Sequence, residues 1–290
     1  MGEGLAWERE GRDWPNAAAS RFVEAGGLRW HVQCAGDPQR PAVLLLHGTG
    51  ASTHSWRDLL PVLASHVRVI APDLPGHGFS GWPEDRASFT LPGMARAVAA
   101  LLQSLDEQPR LIAGHSAGGA VGVQLCLDGL AAPRMLVGLN AALTPLPGMA
   151  GAVFSPMART LVLNPLVPRF FAWTAGWPGM LERLIDGTGS AVDPRGRELY
   201  ARLVRSPTHV AAALAMMAGW DLSALWRRLP ELKTPLHLIV GDRDRTLPPD
   251  LAWQAAGRIR GTRVTTLSGL GHLAHEEQPG HTAALIRADL

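Results

Sequence analysis

Lysine is nearly missing from this sequence: Lys233 is the only one. The positive charge belongs to arginine, and it is almost balanced, 27 basic residues against 25 acidic for a net charge of +2. A field that weak steers nothing toward a nucleic acid. Cysteine is scarce as well. Cys34 and Cys126 lie far apart, in strand-like and helix-like surroundings, and read as buried free thiols in a reducing compartment. No uninterrupted apolar run reaches the length of a bilayer span. The first residues carry Glu3, Glu8, Glu10 and Asp13 and no apolar core, which argues against a signal peptide. Internal repeats and low-complexity tracts are absent too, which excludes solenoid and array architectures. These absences together predict a cytoplasmic protein with no transmembrane segment.

What is present is a chain of 290 residues, 47% hydrophobic, long enough for one large domain or one domain with an insertion. Residues 1–19 read as a loosely held arm. A hairpin follows, 21–24 and 28–34, turning on Gly26-Gly27. Pro41 to Leu46 is a continuous apolar run, as a buried parallel strand requires, and it ends in His47-Gly48-Thr49-Gly50. A helix is expected over 55–65, a strand over 67–71 and a helix over 91–105, where Met94, Val98, Leu101, Leu102 and Leu105 share one face. Strands at 111–115 and 135–139 flank a helix over about 120–130. The alternation then stops. From 141 to 232 there are helical pieces broken by prolines, before strands return at 235–240 and 263–267 with helices over 251–259 and 281–289. The expected fold is α/β, a mostly parallel sheet with helices on both faces. Its core is 20–140 and 233–290, and a helical cap, 141–232, is inserted after the sixth strand.

The most informative stretch is Leu111-Ile-Ala-Gly-His-Ser-Ala-Gly-Gly-Ala120. It places G-x-S-x-G between a strand and a helix. A turn that tight strains its central residue and presents the side chain at the tip, and a Cβ at either flanking glycine would clash. Ser116 is thereby a candidate nucleophile. A serine hydroxyl needs a base, and the base needs an orienting acid. His272 follows the last strand as the base. Asp244 follows the strand before it as the acid, with Asp242 as its rival. All three stand just past strands, at the edge where open α/β sheets keep their sites, in the order Ser, Asp, His. Asp73 precedes the serine and reads as bracing its own loop. An oxyanion needs two donors: the Ala117 N–H at the start of the elbow helix, and the Thr49 N–H, whose neighbours Gly48 and Gly50 let the backbone approach.

No cofactor is implied and no metal set is complete. His275 spaces with His272 as HxxH but lacks a third ligand, so it reads as packing or as facing the cap. His47, His54, His77 and His115 read as structural. In the cap, Met149, Phe154, Trp173, Trp177, Met216 and Trp220 are candidate substrate contacts, since Met and Trp suit large flat apolar ligands. Arg159, Arg169, Arg183, Arg202 and Arg205 are candidates to meet carboxylates.

The elbow, His47-Gly48, Asp244 and His272 resemble the α/β-hydrolase superfamily over residues 20–290. The segments 47–61, 72–79, 155–159, 164–168, 187–190, 200–207 and 271–277, together with Gly11 to Asn16, are similar to the magnesium-chelatase accessory proteins of bacteriochlorophyll biosynthesis. That resemblance implies a role beside magnesium insertion into protoporphyrin IX in phototrophic bacteria. It implies a tetrapyrrole-like substrate, magnesium chelatase subunits as partners and a place at the periphery of the photosynthetic membrane. It supplies no reaction, and implies that insertion itself belongs to a separate chelatase. Three functions follow: a serine hydrolase of a tetrapyrrole ester or thioester, a porphyrin-holding accessory protein, or a general carboxylesterase or C–C bond hydrolase. A serine at the elbow argues against haloalkane dehalogenase and epoxide hydrolase chemistry, which in related enzymes starts from a carboxylate.

Overall fold

A computed structural model describes residues 5–145, 166–174, 177 and 179–290. Its frame is one eight-stranded sheet in the order β1-β2-β4-β3-β5-β6-β7-β8. The strands are β1 (Ser20–Ala25), β2 (Leu28–Ala35), β3 (Ala42–Leu46), β4 (Arg68–Pro72), β5 (Leu111–His115), β6 (Met135–Leu139), β7 (Leu236–Gly241) and β8 (Arg263–Leu267). β1 and β2 form the antiparallel hairpin, β2 pairs antiparallel with β4, and all remaining pairs are parallel. Strand positions match the expectation to within one or two residues.

The continuous apolar runs exist because the sheet is covered on both faces. In β3 every residue is buried, yet alternate side chains serve different cores. Leu44 and Leu46 join the layer with Met94, Val98 and Val121, while Val43 and Leu45 join the layer with Trp56, Leu59 and Leu63. A period of two on a two-sided sheet thus reads as no period at all. The helix Leu91–Ser104 places Met94, Val98, Leu101 and Leu102 inward, as their spacing predicts, and Thr90 caps it by accepting from Gly93 N–H.

Three expectations change. The helix expected over 55–65 is a 3-10 turn, Thr53–Trp56, started by the Ser52 side chain, and then a separate short helix, Leu59–Ala64. The helix after the elbow is Ala117–Leu127 and starts directly at the turn. The N-terminal arm is not loosely held over residues 5–19. Trp14 is buried against Phe79, Leu199 and Leu203, and its indole N–H donates to Thr53 Oγ1 at 3.1 Å. Asp13 pairs with Arg202 at 2.7 Å, and that hydrogen bond holds its carboxyl below the usual range. An indole slot and an ion pair are long-range contacts, which no local pattern at residues 1–19 announces.

Between β6 and β7 the described residues form helices Leu166–Thr174, Met180–Asp186, Pro194–Val204, Pro207–Gly219 and Leu222–Arg228. Among the described residues no helix is long and apolar enough to cross a membrane. Cys34 and Cys126 are free thiols, and burial pushes that of Cys126 up to about 11.

Candidate active site

Ser116 sits between β5 and the helix Ala117–Leu127 with φ 50° and ψ −116°. A non-glycine residue in that region carries about 1–3 kcal/mol of strain, sustained only where the surroundings over-determine it. They do so here. A Cβ on Gly114 would run into the backbone of Gly118, and one on Gly118 into the carbonyl of Leu46. Ser116 N–H donates to Leu139 O at 2.9 Å and its carbonyl accepts from Gly119 N–H, pinning the turn from both sides.

His272 and Asp244 meet from the ends of β8 and β7. His272 Nδ1–H donates to Asp244 Oδ2 at 2.7 Å, both side chains being buried. That bond leaves Nε2 as the ring's lone-pair nitrogen. Asp244 is itself held. Its Oδ1 accepts from Thr246 N–H and Leu247 N–H, each at 2.8 Å, and its Oδ2 also accepts from Asn140 Nδ2 at 2.7 Å. Four donors on its two oxygens fix the carboxyl group in orientation. The rival Asp242 faces elsewhere. It accepts from Ser268 Oγ and Gly269 N–H and closes the turn after β8. Asp73 braces its loop as expected, accepting from Thr53 N–H and Phe79 N–H and bonding His31 Nδ1 at 2.7 Å. Burial would raise its carboxyl pKa, but His31, His47 and the Phe79 amide outweigh burial and hold it low.

Ser116, His272, Thr49 and Ala117 all line one cavity of about 370 Å³. Among the described residues, no protein group accepts from the Thr49 or Ala117 amide, so both N–H groups are available where charge could develop. The walls are mostly apolar: Leu181, Leu184, Ile185, Val204, Met217, Trp220, Leu222, Leu247 and Leu273, with Tyr200 and Thr188 between them.

Behind the histidine lies a polar layer. His115 Nε2–H donates to the His272 carbonyl at 3.0 Å, and the two rings stand 4.7 Å apart. His275 packs on His115 and Trp56 and bonds Ser55 Oγ at 2.8 Å. It is therefore committed to the core, and among the described residues no cluster could hold a metal. Burial, then the neighbouring His272 and Arg57, push the His275 ring down to about 3. Glu276 accepts from Ser55 Oγ at 2.6 Å, from Tyr200 OH at 2.7 Å and from Arg57. Burial raises its pKa even so.

The helical segment treats its candidates unevenly. Trp220 lines the cavity. Met216 is fully buried but stands behind the wall, its sulfur accepting from Thr49 Oγ1 at 3.5 Å; its neighbour Met217 faces the space instead. Trp173 and Trp177 do not line the cavity. They pack edge to face on each other at 4.9 Å and are 62% and 48% exposed. The helix carrying Trp173 turns its small residues, Ala172 and Thr174, inward, and the rings are left outside. Met149 and Phe154 lie outside the described residues, as does Arg159. Arg202 is consumed by Asp13 and Glu198, and no described arginine lines the cavity. Asn140 and Tyr200 were missed by the sequence reading. The signal for Asn140 was its place one residue past β6, at the same sheet edge as the other three.

A mostly parallel sheet with a strained serine after a middle strand, and a paired aspartate and histidine after its last two, defines an α/β hydrolase in architecture. The alpha/beta hydrolase family matches residues 43–284, and the chain belongs to that family. It is 41% identical over 268 residues to the magnesium-chelatase 30 kDa subunit of Rhodobacter capsulatus, covering 91% of this chain and 92% of that relative. Epoxide hydrolase 4 of Mus musculus is 26% identical over 284 residues, 92% of this chain and 78% of that protein. Among solved structures, a hydrolase from Pseudomonas aeruginosa PA01 superposes with a TM-score of 0.73 at 26% identity, covering 94% of this chain and 99% of its own.

Proposed function

We propose that the chain is a serine hydrolase with Ser116 as nucleophile, His272 as general base and then acid, and Asp244 as the group that orients the imidazole. The observation that carries this is the strained Ser116 opening into the same cavity as a histidine whose other nitrogen is held by a four-donor carboxylate. Ser116 Oγ attacks a carbonyl carbon as His272 Nε2 takes its proton. The oxyanion is held by Thr49 N–H and Ala117 N–H. His272 returns the proton to the departing alcohol or thiol, leaving an acyl-serine. A water molecule, deprotonated by His272, then releases the acid and restores the serine.

The substrate is an ester or thioester of a tetrapyrrole or related compound, at the magnesium chelatase step of bacteriochlorophyll biosynthesis. The chelatase relative supports the pathway, and the apolar walls support the ligand class. No cation lines the cavity among the described residues, so the part of the substrate seated there is neutral. That favours an esterified carboxyl over a free one. The segment 141–232 acts as a cap over the triad. Epoxide opening is disfavoured, because the elbow residue is a hydroxyl rather than a carboxylate.

A fluorophosphonate probe on the purified protein, with and without protoporphyrin IX, tests this. Labelling at Ser116 that porphyrin slows supports both parts. Labelling indifferent to porphyrin leaves a serine hydrolase of another substrate. No labelling removes the catalytic reading. A second reading, a porphyrin-holding accessory to the chelatase, is favoured by the name of the Rhodobacter relative; it predicts saturable porphyrin binding that survives Ser116→Ala.

A further inference from the structure

The loop after β3 is held from two sides by histidines. From the sheet side, His47 Nε2 accepts from Leu74 N–H at 2.9 Å, so Nδ1 carries the proton and donates to the Gly48 carbonyl at 2.8 Å. From the other side comes the helix Pro207–Gly219. There His209 Nδ1 accepts from Gly78 N–H at 3.0 Å, so Nε2 carries the proton and donates to the Gly50 carbonyl at 3.0 Å. His209 is 2% exposed. Ala212 and Met216 continue the same helix face at spacings of three and seven. Ala212 lies so close that a Cβ on Gly76 would stand 2.7 Å from its own, and Met216 takes the Thr49 hydroxyl. The helix is seated, not merely adjacent.

The bonds link into a chain that ends on the oxyanion donor. Carbonyl and amide of one peptide unit share a plane, so fixing one orients the other. His209 fixes the Gly50 carbonyl, and with it the N–H of Ala51. Ala51 N–H donates to the Gly48 carbonyl at 3.1 Å. The Gly48 carbonyl shares its plane with the N–H of Thr49. Gly50 has φ 74°, a conformation that glycine adopts without penalty and that needs an outside partner to be held.

We propose that His209 is a positioning residue: through Gly50 and Ala51 it aims the Thr49 amide into the cavity, so that the helix Pro207–Gly219 sets the quality of the oxyanion hole. The catalytic part rests on the proposed function above; the mechanical part does not. Two variants separate the two arms of the ring. In His209→Asn the amide reaches only as far as Nδ1, so the bond to Gly78 can persist and the bond to Gly50 is lost. In His209→Gln the amide reaches Nε2 and can restore the bond to Gly50.

The test is kcat and KM on p-nitrophenyl acetate, alongside amide hydrogen exchange over residues 48–51, with Ser116→Ala as control. For His209→Asn we expect kcat to fall about 10- to 100-fold with KM within about twofold, as for a misaimed donor. For His209→Gln we expect recovery to within about fivefold of the parent. Exchange at Thr49 and Ala51 should be faster in His209→Asn and near the parent rate in His209→Gln. A folded His209→Asn with parental kcat, a loss confined to KM, or equal losses in both variants overturns the proposal. If Ser116→Ala keeps the parent's turnover, or the parent has none, the hydrolase reading fails and exchange alone decides: faster exchange in His209→Asn sustains the mechanical proposal, and unchanged exchange overturns it.

Discussion

The sheet core and the helical segment between β6 and β7 handle the same kind of residue in opposite ways. In the core, apolar runs are buried end to end, as Ala42–Leu46 shows. In the helical segment, six of the nine large hydrophobics exposed among the described residues fall between 166 and 184: Leu166, Phe170, Phe171, Trp173, Trp177 and Leu184. A strand inside a two-sided sheet has no exposed face to offer. A helix always has one, and its neighbours decide which residues occupy it. The core therefore gathers Ser116, Asp244 and His272 at its carboxyl edge, while the helical segment supplies walls to the cavity and leaves aromatic surface outside. Polar contacts tie the two regions where they meet, His209 at Gly50 and Tyr200 at Glu276.

If catalysis belongs wholly to the core edge, Ser116→Ala should reduce ester turnover by about 10⁶-fold and abolish fluorophosphonate labelling. Its melting temperature should stay near the parent's, since the side chain stands at the tip of a turn. A stable alanine variant that still labels would move the nucleophile elsewhere.

The two aspartates after β7 should separate next. Asp244→Asn should cost about 10⁴-fold in kcat by disturbing the imidazole tautomer, while Asp242→Asn should cost no more than about threefold. Steady-state kinetics of the pair would expose a wrong assignment as a reversed order.

Acid should act on the buried histidines of both regions. Burial holds His54, His77 and His115 well below their ordinary value, His209 at about 4 and His275 at about 3. In the unfolded chain each titrates near about 6.5. Below that value the unfolded state binds more protons, so stability is full above pH 6.5 and falls as the medium is acidified, until the folded values are passed. Each such histidine adds about 1.4 kcal/mol of loss per pH unit within its window. Denaturant midpoints measured between pH 7.5 and 4.5 should fall steeply, and a flat profile would contradict the neutral buried rings.

Tyr200→Phe should remove one donor from buried Glu276 and cost about 1–3 kcal/mol in unfolding free energy. Trp173→Ala should change stability by no more than about 0.5 kcal/mol and leave turnover of p-nitrophenyl acetate unaltered, because the ring is exposed and away from the cavity. Trp220→Ala, which opens the cavity wall, is the contrasting measurement. Equal effects of the two would erase the difference between wall and outer surface.

Much of this protein is written locally. The strands follow from apolar runs bounded by turns, and the elbow from two glycines around a serine. The order Ser116, Asp244, His272 follows from residues just past strands, because a parallel sheet gathers those positions at one edge. None of that needs knowledge of distant contacts. Tertiary structure decided what depends on them. Asp244 rather than Asp242 meets His272, because the turn after β7 points its second carboxylate inward onto Asn140. Trp14 docks the arm because a slot exists near Phe79. Trp173 and Trp177 stay outside, and Met217 replaces Met216 at the wall, because rotation of a helix about its axis is set by what it packs on. Sequence spacing specifies a helix's faces, but only the neighbouring elements determine which face is turned inward.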